Sequence, residues 1–158
     1  AVFGVYKETS SSWKEYYAGA ARPFDLLLDI THNEGIAYYL SLDQRGGGYV
    51  PHDWDARTRQ AVSSFNKNAG ELLYPPVKRR RIQELIRTAN LSGYWDSYGA
   101  MTGMFMAREI DTRLGRAALI ETIAQSPYYF FRQYLLLARE ESNLPQFTPA
   151  IISSIPLK

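Results

Sequence analysis

The sequence contains no cysteine and only two histidines, His32 and His52. Without cysteine the chain has no disulfide bond, no thiolate metal site and no thiol nucleophile. These two imidazoles do not form a recognisable Ser-His-Asp pattern, and the nucleophile motif GxSxG does not occur. The phosphate-binding pattern GxxxxGK[ST] is also missing, so the glycine triplet at 46–48 is interpreted as a loop. These absences leave the common nucleophilic and phosphate chemistries without support.

Long apolar runs are missing as well, since no stretch of the chain approaches the roughly 18–20 residues that span a bilayer. The net charge of +2 is too small to favour nucleic acid or an acidic membrane surface. One basic run, Lys78 to Arg81, is interpreted as a solvated helix face, some of whose members pair with acidic groups elsewhere. We therefore expect no nucleic-acid partner and no membrane span.

The composition is that of a globular protein. The length of 158 residues predicts a single domain covering residues 1–158, which the apolar spacing described below predicts to be helical, and the 46% hydrophobic and 22% charged residues are those of a globular protein. Aromatic residues make up 14% of the chain, with 12 tyrosines, and such a content is typical of clefts or interfaces with polar edges.

The spacing of apolar residues and helix breakers predicts an all-α domain, an irregular bundle of six or seven helices. Ser12 and Glu15 have the spacing of a capping box at the first helix. Residues 1–7 are interpreted as a short strand or an extended lead-in, and the proline-containing tail 143–158 as extended. The predicted helices are 12–20, 23–43, 55–73, 78–91, 96–114, 116–125 and 127–141.

The helix predicted at 23–43 carries a carboxylate, Glu34, in unusual surroundings. None of its neighbours on a helix surface is basic: these are Leu27, Ile30, Thr31, Ala37, Tyr38 and Ser41. A carboxylate on such a face loses water, and a buried charge needs a partner or a metal. The partner must then come from another part of the molecule. The alternative is that Glu34 lies at the edge of the apolar stripe and reaches water or a distant arginine.

The short sequence motif NEGIA at 33–37, followed by YYL, resembles the NEGxA segment of the gluzincin zinc peptidases. In that family a helix downstream of the HExxH helix supplies a glutamate as the third zinc ligand. The segment Tyr98 to Tyr134 is also similar to the helix pair that follows the active site in gluzincin aminopeptidases. The similarity covers about residues 24–135, and the matching places on this pair are Gly103, Ile110, Leu114-Gly115, Phe130-Phe131 and Tyr134.

The resemblance implies the C-terminal helical subdomain of a zinc-dependent metallopeptidase, a hydrolase. Glu34 would be the zinc ligand, and Asn33 would support the ligand helix without touching the metal. A tyrosine in that family polarises the scissile carbonyl and stabilises the oxyanion. Tyr98, 98 − 34 = 64 residues after Glu34, is the first candidate for this role, and Tyr94 is the second.

The chain departs from the family pattern in one respect, because it contains no HExxH. That motif supplies two imidazoles and the general base, and a catalytic zinc needs three protein ligands and a water. We therefore expect zinc only where a missing HExxH segment completes the site, and no cofactor for the isolated chain. His32 is no substitute: it lies two residues before Glu34, about 200° away around a helix. Asp29 and His32 have i, i+3 spacing, but such a lone pair is more typical of a surface contact.

Two hypotheses follow. In the first, the chain is part of a longer peptidase, with a peptide substrate or a missing N-terminal half as its partner. The chain does not begin with Met, and together with the resemblance this favours a secreted or periplasmic location. In the second, it is a non-catalytic helical interaction domain with a surface rich in Tyr and Phe. An HExxH motif encoded upstream of Ala1 would favour the first hypothesis.

Overall fold

The structure is a computed structural model that describes residues 2–43, 50–90 and 97–157. Within these ranges the chain forms nine α-helices and no strand. The helices are α1 (Val2–Thr9), α2 (Ser11–Gly19), α3 (Pro23–Asp43), α4 (Trp54–Leu73), α5 (Arg79–Ala89), α6 (Tyr98–Leu114), α7 (Arg116–Ala124), α8 (Pro127–Glu140) and α9 (Pro149–Ser154). The all-α class is confirmed, and the seven helices from α2 to α8 correspond to those predicted.

The two helices at the ends of the chain correct the predictions made there. Residues 2–9 form α1 instead of a strand or an extended segment. β-branched residues and a glycine weaken the local helix signal, but Phe3 and Tyr6 pack against the core one turn apart. The tail is not wholly extended, because Pro149 occupies the first turn of α9, where proline is compatible with a helix. Ile151 then buries its side chain completely.

The capping box predicted at Ser12 and Glu15 is also wrong. Helix α2 begins at Ser11, and no side chain caps its start. The Ser12 hydroxyl donates instead to Oε1 of Gln125 at 2.6 Å. The preceding serine, Ser10, donates to the carbonyl of Ala124 at 2.7 Å. Both serines therefore attach α2 to the end of α7, and a partner distant in sequence has replaced a local one.

Helices α3 and α6 form the most extensively packed pair of the fold, and two glycines let them meet. A Cβ placed on Gly103 would lie less than 3.0 Å from the carbonyl group of Thr31. A Cβ placed on Gly35 would lie less than 3.0 Å from the backbone of Gly103. Side chains at either position would force the two backbones apart, so the crossing requires glycine on both helices.

The basic run at 78–81 behaves as the sequence predicts. Nε of Arg81 lies 2.8 Å from Oε1 of Glu71, and its Nη1 lies 3.0 Å from Oε2 of Glu84. One member of the run is thus neutralised by acidic partners, while Lys78, Arg79 and Arg80 are exposed. None of the helices in the described ranges combines the length and the apolar character that crossing a bilayer requires.

Candidate functional site

Glu34 lies in the middle of α3, at the edge of its buried face. The side chain is half-buried, between the fully buried Thr31 and the exposed Ala37. Tyr38, one turn further, is half-buried and packs against the core. Glu34 makes no hydrogen bond and no ion pair with any residue in the described part of the chain. Its carboxylate is therefore free to accept a donor or a metal from outside that part.

The glycine crossing determines where Glu34 lies relative to α6. Gly35 is its immediate neighbour and contacts Gly103, so the two glycines that carry the family resemblance touch each other. Glu34 therefore lies next to a close crossing, where two helices that meet backbone to backbone cannot slide without a clash. The crossing therefore determines the position of the Glu34 backbone relative to α6.

Asn33 is bonded to Asp29 and not to Glu34. Its amide donates to the backbone carbonyl of Asp29 at 2.8 Å and also to the Asp29 carboxylate. The same carboxylate accepts from Nζ of Lys7 at 3.2 Å and from the hydroxyl of Tyr17 at 2.8 Å. Asn33 therefore belongs to a network that fastens α1 and α2 to α3, and Asp29 is already occupied.

Tyr98 stands at the first position of α6, with only 7% of its surface exposed. Its hydroxyl donates to the backbone carbonyl of Leu85 at 2.8 Å, and burial raises the pKa of this hydroxyl above its ordinary value. The donor is therefore committed to α5 in this arrangement. Tyr94, the second tyrosine candidate, lies outside the described residues.

His32 is completely buried in an aromatic cage. Its ring stacks on Trp13, with centroids 5.5 Å apart, and on Phe130 at 4.6 Å, while Phe3 meets it edge-on at 5.1 Å. The imidazole approaches the Thr122 backbone, but neither ring nitrogen makes a full hydrogen bond. Burial, helped by the nearby positive charge of Lys7, lowers the pKa of His32 to about 3.

The cage corrects the surface contact expected for Asp29 and His32. The carboxylate points to Lys7 and Tyr17, whereas the imidazole is enclosed by rings. The other histidine, His52, is exposed. Neither imidazole belongs to a metal site of three ligands, because the described residues contain no group of three His, Asp or Glu side chains that could hold a metal ion.

A buried carboxylate at the start of α3, Asp25, was not anticipated from the sequence. It is 2% exposed and accepts from Nη2 of Arg22 at 2.8 Å and from the hydroxyl of Tyr128 at 2.7 Å. Burial alone would raise the pKa of Asp25, but these hydrogen bonds outweigh it and hold the pKa below its usual value. The local signal was an aspartate in the first helical turn, whereas Tyr128 is 103 residues away.

A cleft of about 380 Å³ opens beside this carboxylate, between α2, the start of α3 and α5. Asp25 and Asp29 both line it, and apolar contact comes from Leu26, Ile82 and Ile86. Each carboxylate already has a cation and a tyrosine hydroxyl as partners. The cleft therefore has a satisfied polar edge, and its carboxylates stabilise the fold.

Within the described residues the fold is an all-α domain in which the half-buried Glu34, without a hydrogen bond or ion pair there, lies beside a glycine crossing. Residues 3–143 match the model of the family described as "Putative zinc dependent peptidase (DUF5700)". Because the match covers most of the sequence, the chain belongs to this family. No curated protein matches the chain, and no solved structure matches it.

The description of this family implies a dependence on zinc. A catalytic zinc is held by three protein ligands and keeps a position for water. Glu34 has the chemistry and the freedom of one ligand, but the described residues contain no set of three. The described residues alone therefore do not form a complete zinc site.

Proposed function

We propose that this chain is the C-terminal helical subdomain of a zinc-dependent peptidase and that Glu34 is one of its zinc ligands. An HExxH helix, which the chain lacks, would contribute two imidazoles and the general base. The observation that carries the proposal is the half-buried Glu34 carboxylate, which has no partner among the described residues. The part of this carboxylate that is shielded from water would be stabilised by a donor or a cation, and membership of the zinc-peptidase family favours a cation.

Glu34 is expected to be needed for zinc retention in the product of the complete reading frame that contains this chain. Glu34→Gln should lower bound zinc from about one equivalent to well below half, because a neutral amide is a poor zinc ligand. Peptidase activity should be lost with the metal. Metal analysis after desalting and a fluorogenic peptide assay measure both effects.

Glu140→Gln is the matched control, since Glu140 is an exposed glutamate at the end of α8. It should retain zinc and activity. The isolated 158-residue chain should bind zinc weakly and hydrolyse nothing. A reading frame without HExxH, full zinc retention by Glu34→Gln, or chelator-sensitive hydrolysis by the isolated chain would each contradict the proposal.

Tyr98 and Tyr94 are the proposed oxyanion stabilisers, and only one of them can fill the role. The hydroxyl of Tyr98 would have to exchange its bond with Leu85 for a bond to substrate. This requirement favours Tyr94. Asn33 is proposed to keep the ligand helix in place through Asp29, which in turn is bound to Lys7.

Replacing each tyrosine by phenylalanine is expected to change stability at Tyr98 and catalysis at Tyr94. Tyr98→Phe should lower the free energy of unfolding by about 1 kcal/mol, because the carbonyl of Leu85 loses the shorter of its two side-chain donors and keeps that of Thr88. Tyr94→Phe should lower kcat of the complete enzyme by about 10²–10³, the usual effect of removing one oxyanion donor. Urea unfolding and steady-state kinetics measure these effects, and unchanged kcat in both variants would remove the oxyanion role from both residues.

The alternative, an interaction domain with an aromatic surface, has less support. All seven phenylalanines lie in the described ranges, and all are buried or half-buried. Tyr17 and Tyr74 are the exposed aromatic side chains within those ranges. The aromatic content mainly serves the core.

A further inference from the structure

A groove of about 600 Å³ runs between α8, α9 and the chain that follows α9. Leu136, Ile152 and Leu157 line it, and they are 56%, 42% and 89% exposed. They are three of the nine large apolar side chains that are exposed in the described part of the chain. Single exposed leucines are normal, whereas a cluster in one groove is typical of an interaction surface.

The exposed apolar residues of the groove lie away from the side of each helix that packs on the core. Helix α8 already packs on the core through its opposite face, where Phe130, Phe131 and Tyr134 are completely buried. In α9, Ile151 is buried and the next residue, Ile152, is exposed in the groove. Leu136 on α8 and Ile152 on α9 thus form an apolar floor between polar side chains, and no described residue covers it.

The charges along the groove are all of one sign. Arg132 and Arg139 line it, and no aspartate or glutamate does so among the described residues. Nη1 of Arg132 donates to the carbonyl of Pro156 at 2.7 Å and fastens the tail. Arg139 is exposed and has no hydrogen bond or ion pair with the described residues. The two arginines are seven residues apart on one helix, about 10.5 Å along its axis.

From the apolar floor and the unpaired arginine we propose that the groove between α8 and α9 binds an acidic amphipathic helix of a partner protein. The apolar side chains of that helix contact Leu136 and Ile152, and a carboxylate on its flank pairs with Arg139. This is the helix-in-groove mode, in which residues at i, i+3, i+4 and i+7 act as anchors. A basic helix is disfavoured, because it would meet like charges at both ends of the groove.

This surface is independent of the zinc proposal. Helix α9 and Leu157 lie beyond residue 143, where the match to the peptidase family ends. None of the lining residues belongs to the Glu34 region on α3. Failure of one proposal therefore leaves the other unaffected.

Two fluorescein-labelled 14-residue helical peptides test the proposal by fluorescence anisotropy. They share leucines at i, i+3, i+4 and i+7 and carry either glutamates or lysines on the flanks. The glutamate peptide should bind the chain with a Kd below about 100 µM and at least ten times more tightly than the lysine peptide. Arg139→Glu should weaken the glutamate peptide at least tenfold and strengthen the lysine peptide. Leu136→Ser should weaken both.

The matched controls are Arg80→Glu and Ile120→Ser, which change an exposed arginine and an exposed isoleucine outside the groove. Both controls should bind as the unaltered chain does. Three results overturn the proposal: no binding of the glutamate peptide, equal binding of the two peptides, or equal losses in the controls. Sedimentation gives a further outcome. A dimer that Leu136→Ser dissociates would mean that a second copy occupies the groove, which also overturns the proposal.

Discussion

Replacing Gly103 by alanine is expected to lower the free energy of unfolding by at least about 3 kcal/mol, at the upper end of overpacking effects. The new methyl group would lie less than 3.0 Å from the carbonyl group of Thr31. A backbone group cannot rotate away as a side chain can, so α3 and α6 must separate. The higher helix propensity of alanine, about 1 kcal/mol, offsets only part of this cost. Urea unfolding followed by far-UV circular dichroism measures the effect.

The chain offers a matched control in Gly70, a glycine inside α4 with nothing within 4 Å of a built Cβ. Gly70→Ala should leave stability unchanged or raise it by up to about 1 kcal/mol. Gly35→Ala should resemble Gly103→Ala, since its methyl group would overlap the backbone of Gly103. If Gly103→Ala unfolds at the same urea concentration as the unaltered chain, the close crossing of α3 and α6 is incorrect. A variant that does not fold supports the crossing, provided that Gly70→Ala folds.

The chain is expected to lose about 2 kcal/mol of stability between about pH 7.5 and pH 5 through His32 alone. The unfolded imidazole takes up a proton near its ordinary pKa of 6.5, whereas the folded pKa is lowered to about 3. Between these two values the unfolded state binds more protons, so stability falls as the pH falls. The contribution is constant above the unfolded pKa and decreases by about 1.4 kcal/mol for each pH unit below it.

His32→Leu removes this titration. The measurement is the free energy of unfolding as a function of pH, for the unaltered chain and for His32→Leu. The difference between the two profiles isolates His32, because carboxylates with lowered pKa values, such as Asp25, are common to both proteins. His52→Gln is the control, since that side chain is exposed in the folded chain. Parallel profiles for the unaltered chain and His32→Leu would show that His32 is not held neutral by the fold.

The sequence was sufficient for the helices from α2 to α8, because apolar periodicity, prolines and glycines act within a few residues of one another. It was also sufficient to single out Glu34, whose neighbours on α3 follow from helix geometry alone. The sequence pattern did not predict the helices at the two ends of the chain. Helix α1 depends on Phe3 and Tyr6 packing against the core, and α9 depends on the burial of Ile151.

The partners of the polar groups were decided by tertiary structure. Ser12 binds Gln125 and not its own helix, and the hydroxyl of Tyr98 is taken by Leu85 of the preceding helix. The carboxylate of Asp25 accepts a hydrogen bond from the hydroxyl of Tyr128. A hydrogen bond needs a donor and an acceptor within about 3 Å, and only the folded chain brings residues from distant helices so close.

Glu34 illustrates both what the local sequence determines and what tertiary structure determines. Its surroundings on α3 were readable from the sequence, and so was the lack of an HExxH motif. The glycine contact beside it was predictable only in part. The small residues Ala100, Gly103 and Ala107 indicate close packing on one side of α6, but Gly35 lies 103 − 35 = 68 residues before Gly103, and no local pattern identifies α3 as the partner helix. Local periodicity determines where each helix forms, whereas steric fit between distant helices determines which groups meet.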